Sequence, residues 1–433
     1  MIEWSDEQRQ LREQLSAWCD RLSAGHAEYD RDAVFAEPAW QLVRESGVLR
    51  LPFGVRWGGR GHDLLTTMYV LEGLGHGCRN AGLNFSVATH IVSTGIALQR
   101  FGSDQLKDRH LPGVCSGDTI GAHAITEPDG GSDVFGMRGA AKPDGDHYVL
   151  DAAKCFITNG PIASRFVVYV QTEPGLGPFS LTAFLVERDT PGVTVGPDVP
   201  TMGLRTSPMS ELVLDRVRVP AANVVGRVGG GFMVLDHVMK WEILCSFIIN
   251  VGEMQHRLER CVRHAAERTQ FGQPIGAYQS VANRIVDMKI GVETARRWLY
   301  DTAQSFHNGA DVTTDIAIAK LIASEANVNS ALSAIQIFGG RGYLTETGLE
   351  QGLRDAVGGT IYSGTSEIQR ARIARMLGLT PSAQTVSPAA TRKPAAPRPA
   401  GGATSTAASG AVPTAASGAV PTAVRDGKAG AMP

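Results

Sequence analysis

The chain has 433 residues, 43% hydrophobic and 19% charged, with a formal net charge of -2. That is enough apolar material for a full core and two or three domains, and the near-zero charge excludes the broad basic field that nucleic-acid binding needs. No apolar run reads as a membrane span and the opening MIEWSDEQRQ is charged and amphipathic, so a cytoplasmic protein with no membrane or nucleic-acid partner is expected.

From Ser5 to about Cys115 the periodicity is mostly helical, in LREQLSAWCDRL, TTMYVLEGLGHG and LNFSVATHIVSTGIALQRFG. Between about Gly117 and Gly226 it changes to short β-branched runs such as RFVVYVQTE, LTAFLVERD and ELVLDRVRV, divided by Gly, Pro and Asp turns. Long helical patterns return from Gly229 to about Leu379, and after Pro381 only Ala, Pro, Ser, Gly and Thr dominate, with TAASGAVP repeated at Thr406 to Pro413 and Thr414 to Pro421. The expected architecture is α+β: an N-terminal helical domain (1–117), a middle β-domain (118–228), a C-terminal helical domain (229–380) and a disordered tail (381–433). Cys19, Cys78, Cys115, Cys155, Cys245 and Cys261 form no CxxC pair and no His-rich cluster, so they read as packed, reduced thiols and no metal site is expected.

Several stretches carry chemistry. In ITEPDGGSD (Ile125 to Asp133), Thr126 and Ser132 flank a turn whose glycines let backbone amides approach a planar ring. KCFITNG (Lys154 to Gly160) offers Phe156 and Thr158. RTQFGQPI (Arg268 to Ile275) opens on an arginine, whose fork suits a diphosphate. MGLRTSPMSELVLDRVRVP (Met202 to Pro220), QIFGGRGY (Gln336 to Tyr343) and IYSGTSEIQ (Ile361 to Gln369) complete the set, and no GxGxxG loop follows a convincing strand.

These six stretches, in this order, resemble the acyl-CoA dehydrogenase family over residues 1 to 380. The resemblance implies FAD, the three-domain fold with helical, β and helical parts, and a homodimer or homotetramer. It assigns Thr126 and Ser132 to the isoalloxazine, Phe156 to stacking where the family usually has tryptophan, and Thr158 to the N5 edge. Arg268, Gln270 and Phe271, with Gln336, Gly339 and Gly340, would reach the adenine-diphosphate half of FAD in the neighbouring subunit. Thr365 and Glu367 complete the cofactor set, and Ser363, Gly364 and Ser132 line the substrate pocket.

One departure matters most. Most family members have a glutamate base where this chain has Ser363, and a serine hydroxyl cannot replace it. In the isovaleryl and long-chain branches the base sits on a helix thirteen residues before the Gln of a G-x-x-Q segment; counting back from Gln255 reaches Glu242. Its helical neighbours Leu235, Val238, Met239, Cys245, Ser246 and Ile249 form a largely apolar stripe, so desolvation is expected to raise its pKa toward neutrality. Ser363 then becomes pocket lining whose small side chain opens space.

Glu242 is followed by Ile243 where many coenzyme A users have arginine. With YQSVANRIVDMK (Tyr278 to Lys289), this looks like the natural-product branch that oxidises carrier-protein-bound substrates, including prolyl thioesters. The expected reaction is α,β-dehydrogenation of an acyl or aminoacyl thioester: Glu242 removes the α-proton, a hydride passes to the flavin, and the ribityl chain and the amide after Ser363 hold the thioester carbonyl. A flavoprotein or oxygen would accept the electrons. Free acyl-CoA breakdown, and a flavin monooxygenase or redox-silent member of the fold, stay open as alternatives.

Overall fold

The computed structural model describes residues 2–379; the expected tail at 381–433 lies outside them. The N-terminal helices are α1 (Asp6–Ser23), α2 (His26–Asp32), α3 (Glu37–Ser46), α4 (Leu64–Gly77), α5 (Ala81–His90), α6 (Ala97–Phe101) and α7 (Asp104–Ser116). α1 starts at a reciprocal cap: the Gln8 N–H donates to Ser5 Oγ and the Ser5 N–H to Gln8 Oε1. A π-helical turn, Ile91–Ile96, joins α5 to α6. The run Ala81–Phe101 is by length and composition apolar enough to span a membrane, contrary to the expectation, but it is 94% buried and serves as a core helix.

The middle sheet has eight strands: β1 (Gly121–Ala124), β2 (Ala140–Asp144), β3 (His147–Thr158), β4 (Arg165–Gln171), β5 (Leu181–Glu187), β6 (Val193–Val195), β7 (Met209–Pro220) and β8 (Val224–Val225). They run in the order β6-β7-β3-β2-β4-β5-β8, and β1 lies parallel to β4 with His123 opposite Val167. Alternation sends the two faces to different cores. Ala122, Ala124, Phe166 and Val168 fill a cluster within the sheet domain, whereas Val167 and Tyr169 join the large helical core.

The third part begins with α8 (Gly231–Glu267), 37 residues long, followed by a small hairpin of β9 (Thr269–Gln270) and β10 (Gln273–Pro274). α9 (Gln279–His307), α10 (Thr313–Phe338), α11 (Leu349–Gly358) and α12 (Ser366–Met376) complete it. α8 crosses α4 at very close range. A Cβ on Gly75 would lie 2.0 Å from the Ile249 carbonyl oxygen, and one on Gly252 would lie 2.2 Å from that of Glu72. Only glycine allows this approach, which fixes α8 against the N-terminal helices. All six cysteines are buried and free.

Candidate active site

Glu242 lies on α8 and is 7% exposed, among the buried side chains of Leu235, Val238, Cys245 and Ile249. Two groups from distant elements meet its carboxyl. Ser363 Oγ donates to Oε1 at 2.5 Å. His123 Nε2, from β1, stands 3.1 Å from Oε2. That contact is close but is not a hydrogen bond, and Oε2 has no hydrogen-bond partner among the described residues.

Burial pushes the Glu242 carboxyl upward, but the His123 imidazole and the Ser363 hydroxyl outweigh it and hold the group below the ordinary glutamate value. The expected rise toward neutrality is therefore corrected in sign. The apolar stripe on α8 accounts for desolvation; the opposing groups arrive from β1 and from the loop before α12. Ser363, expected as small pocket lining, also commits its hydroxyl to that carboxylate.

The loop that carries Ser363 is tightly held. Ser363 has φ +54 and Gly364 φ +87, left-handed conformations that cost a serine some energy. Gln369 Nε2 donates to the carbonyl oxygens of Ser363 at 3.1 Å and Gly364 at 3.2 Å. Thr365 caps α12 by accepting from the Ile368 N–H, and Glu367 lies exposed in that helix's first turn. Tyr362 packs against Phe85 and Phe247 and donates to Asn250 Oδ1.

Three residues beyond His123, the chain reaches Thr126, whose carbonyl accepts from the Cys155 N–H at 2.9 Å. That bond sets the Pro-Asp-Gly-Gly turn beside β3. A buried ion pair secures it: Lys154 Nζ lies 2.8 Å from Glu127 Oε1 and donates to the Ile125 carbonyl. Glu127 also accepts from the N–H groups of Arg138 and Gly139. Burial pushes its carboxyl up, but these donors and Lys154 bring it below its ordinary value. Next to Lys154, the register of β3 on β7 slips between Lys154 and Ile157. Phe156 sits in this bulge with φ +58 and is 65% exposed. The irregularity turns its ring outward, the usual use of a bulge beside a site. Thr158 is half-buried opposite Met209, and Ser132 is exposed on the turn.

The residues assigned to the adenine half form a separate group. Arg268, Gln270 and Phe271 occupy the β9–β10 hairpin, where Phe271 is 95% exposed. His264 stacks on Phe338 at 4.0 Å, which brings this hairpin beside the exposed Gln336, Gly339 and Gly340 at the end of α10. No hydrogen bond or ion pair joins this group to Thr126, Phe156 or Glu242 among the described residues.

Both groups fit FAD. A Cβ on Gly131 would find only Thr126 Cγ2, at 3.5 Å, and one on Gly339 or Gly340 would find nothing within 4 Å, so the surface above each glycine is free for a ligand. An exposed aromatic ring at Phe156, hydroxyls at Thr126 and Thr158, and an exposed arginine supply the donors and the stacking face that a flavin with a diphosphate requires.

His123 and the Lys154–Glu127 pair do not emerge from the sequence reading. His123 lies in GAHAITEP, directly before a motif that is read, but nothing in one short strand indicates what faces it. Lys154 and Glu127 lie inside two quoted motifs, and a lysine between Ala153 and Cys155 in β3 was the available signal.

Residues 5–118, 122–217 and 229–378 match the family descriptions "Acyl-CoA dehydrogenase, N-terminal domain", "middle domain" and "C-terminal domain". An L-prolyl-[peptidyl-carrier protein] dehydrogenase from a Serratia species is 39% identical over 83% of this chain and 94% of its own. One from Pseudomonas fluorescens is 37% identical over 87% and 99%. Among solved structures, the prolyl acyl carrier protein oxidase AnaB superposes with a TM-score of 0.85 at 41% identity, covering 87% of this chain and 100% of that one. PigA with FAD and proline superposes with a TM-score of 0.85 at 37% identity, over 88% and 99%.

Proposed function

The chain belongs to the acyl-CoA dehydrogenase family and is an FAD-dependent thioester dehydrogenase, and on that premise we propose that it oxidises a prolyl or similar aminoacyl thioester held on a peptidyl carrier protein, with Glu242 as the base. The observation that carries the base is a buried carboxylate with Oε1 engaged by Ser363 and Oε2 free of any hydrogen bond. The carrier is supported by what the two prolyl relatives are named for and by Ile243, which stands where many coenzyme A users have arginine.

Glu242 Oε2 takes the α-proton of the thioester, and negative charge moves onto the thioester carbonyl. The Gly364 N–H, which donates to no acceptor among the described residues, is available to that oxygen. When bound, FAD supplies the two-electron acceptor for the hydride leaving the β-carbon, so that the product is an α,β-unsaturated thioester. Thr126, Ser132, Phe156, Thr158, Thr365 and Glu367 hold the flavin of their own chain.

Arg268, Gln270, Phe271, Gln336, Gly339 and Gly340 serve the FAD of a second copy in a homodimer or homotetramer. Along α8, Arg268 is about 39 Å from Glu242 at the helical rise of about 1.5 Å per residue, which is too far for both to meet one cofactor from one chain. The exposed Phe271 at the hairpin tip is consistent with insertion into a partner.

The test is anaerobic mixing of FAD-loaded protein with L-prolyl thioesters on a carrier protein and on coenzyme A, following loss of oxidised-flavin absorbance. Faster bleaching by the carrier-bound form is expected; equal or reversed rates overturn the carrier. Glu242→Gln is expected to keep FAD and lose about 10²–10⁴-fold in bleaching rate, and full activity in that variant overturns the base.

A further inference from the structure

We infer that His123 is a positioning residue for the base: its imidazole fixes Glu242 Oε2 in the direction of the substrate and keeps the carboxylate ionised for each turnover. The inference rests on Glu242 being the base and adds the group that prepares it.

The placement comes from β1. Ala122 and Ala124 point into the sheet cluster, so His123, between them, projects to the opposite face, which β4 furnishes with Val167 and Tyr169 beneath α8. The strand cannot easily move. Its Gly121 N–H donates to His90 Nδ1 at 3.1 Å, and Thr94 in the π-helical turn donates to the Ala122 carbonyl at 3.2 Å. The side chains of His123 and Glu242 are only 13% and 9% exposed where Nε2 and Oε2 meet. His123 Nδ1 is buried with no partner among the described residues. A ring nitrogen left unpaired in this way is costly, so an apolar side chain would satisfy folding better at this position.

Other groups near the pair do not supply a compensating charge. Tyr169 on β4 and Tyr362 beside Ser363 are both pushed well above the ordinary phenol value, first by burial, and stay neutral. His90 on α5 is held at about 4 by burial and is neutral as well. Beyond the end of β1, Glu127 and Lys154 neutralise each other, and on α8 Lys240 is taken up by Asp236. Among the described residues, His123 is therefore the polar group that faces Oε2. Ser363 and His123 together hold one carboxylate oxygen each, so the carboxyl plane is set from two sides. The arrangement gives up some basicity in exchange for full ionisation and a fixed aim.

The experiment uses the FAD-loaded protein with His123→Phe and His123→Gln. Infrared carboxyl spectra are titrated with pH, and subtracting the Glu242→Gln spectrum isolates Glu242 without any substrate. In His123→Phe the protonation midpoint of Glu242 is expected to move to higher pH, whereas His123→Gln, which keeps a polar group opposite Oε2, moves it less. With prolyl-loaded carrier protein, the acid limb of kcat/KM moves the same way, and kcat falls about tenfold to a hundredfold with KM and FAD content little changed. An unmoved midpoint in both variants overturns the inference. A Glu242→Gln protein that turns over normally would instead remove the base reading, while the infrared midpoint would still report whether His123 acts on that carboxyl.

Discussion

Ser363 Oγ donates to Glu242 Oε1 across 2.5 Å, tying residues 121 positions apart in the chain. The position that lacks the usual carboxylate is thus still tied to one, as a donor to the carboxylate that α8 provides.

Ser363→Ala leaves Oε1 buried and unpaired, which costs about 1–3 kcal/mol. The Glu242 carboxyl then moves up, because one of the two groups holding it down is gone. A carboxyl whose folded value lies below its unfolded one stabilises the protein fully above the unfolded value and loses that contribution as pH falls through the folded one. The variant is therefore expected to lose the most thermal stability relative to wild type at neutral and higher pH, with the gap narrowing in acid, while its flavin bleaching fails at a higher pH than wild type on the acid limb. Melting curves and anaerobic reduction across acidic pH check this, and identical acid limbs for variant and wild type would refute it.

Phe156→Ala tests the bulge in β3. With the ring 65% exposed, the apoprotein should melt within about 0.5 kcal/mol of wild type. FAD should bind about twofold to tenfold more weakly, corresponding to roughly 0.5–1.5 kcal/mol of lost stacking. Phe156→Gly adopts the φ of +58 without strain and should weaken FAD equally while raising apoprotein stability. FAD titration paired with apoprotein melts separates the two effects.

Lys154 and Glu127 form a buried pair with side-chain exposures of 0% and 8%. Lys154→Met strands Glu127 and is expected to cost about 3–5 kcal/mol. The double substitution Lys154→Met with Glu127→Gln removes both charges and should be milder than the sum of the two singles. Thermal midpoints of the four proteins provide the cycle, and additive losses would show that the pair is not coupled.

Asp355 responds to pH in the opposite sense to Glu242. Burial pushes its carboxyl up to about 7, although the Leu204 N–H donates to it. Such a group stabilises the fold below its unfolded value, and the contribution is lost as pH rises through about 7. Asp355→Asn keeps an acceptor for Leu204 and removes the charge. Its melting temperature should match wild type in acid and exceed it in alkali; a uniform change at both ends would refute the assignment.

Much of this was legible in the residues and some was not. The apolar stripe of α8 and the spacing to Gln255 located Glu242, because both are properties of one helix. The direction of its pKa was misread because the deciding groups, His123 and Ser363, come from elements that only the tertiary fold brings together. Phe156 could be placed in a flavin motif from KCFITNG, whereas its outward aim comes from a slip against β7 that exists only in the pairing of two strands. The close crossing of α4 and α8 rests on Gly75 and Gly252, single glycines in helices that carry no mark of partnership in a linear reading.

The length of α8 gives damage an unusual inheritance. If α8 carries the proposed base Glu242 for its own site and the hairpin beyond it serves a neighbour's cofactor, two differently crippled chains can rescue each other. In a mixed dimer of Glu242→Gln and Arg268→Ala chains, one site collects both lesions and the other collects neither. Co-expression of two inactive forms should therefore return up to about half of the wild-type activity to each mixed dimer, a complementation that a protein completing its site within one chain could not produce.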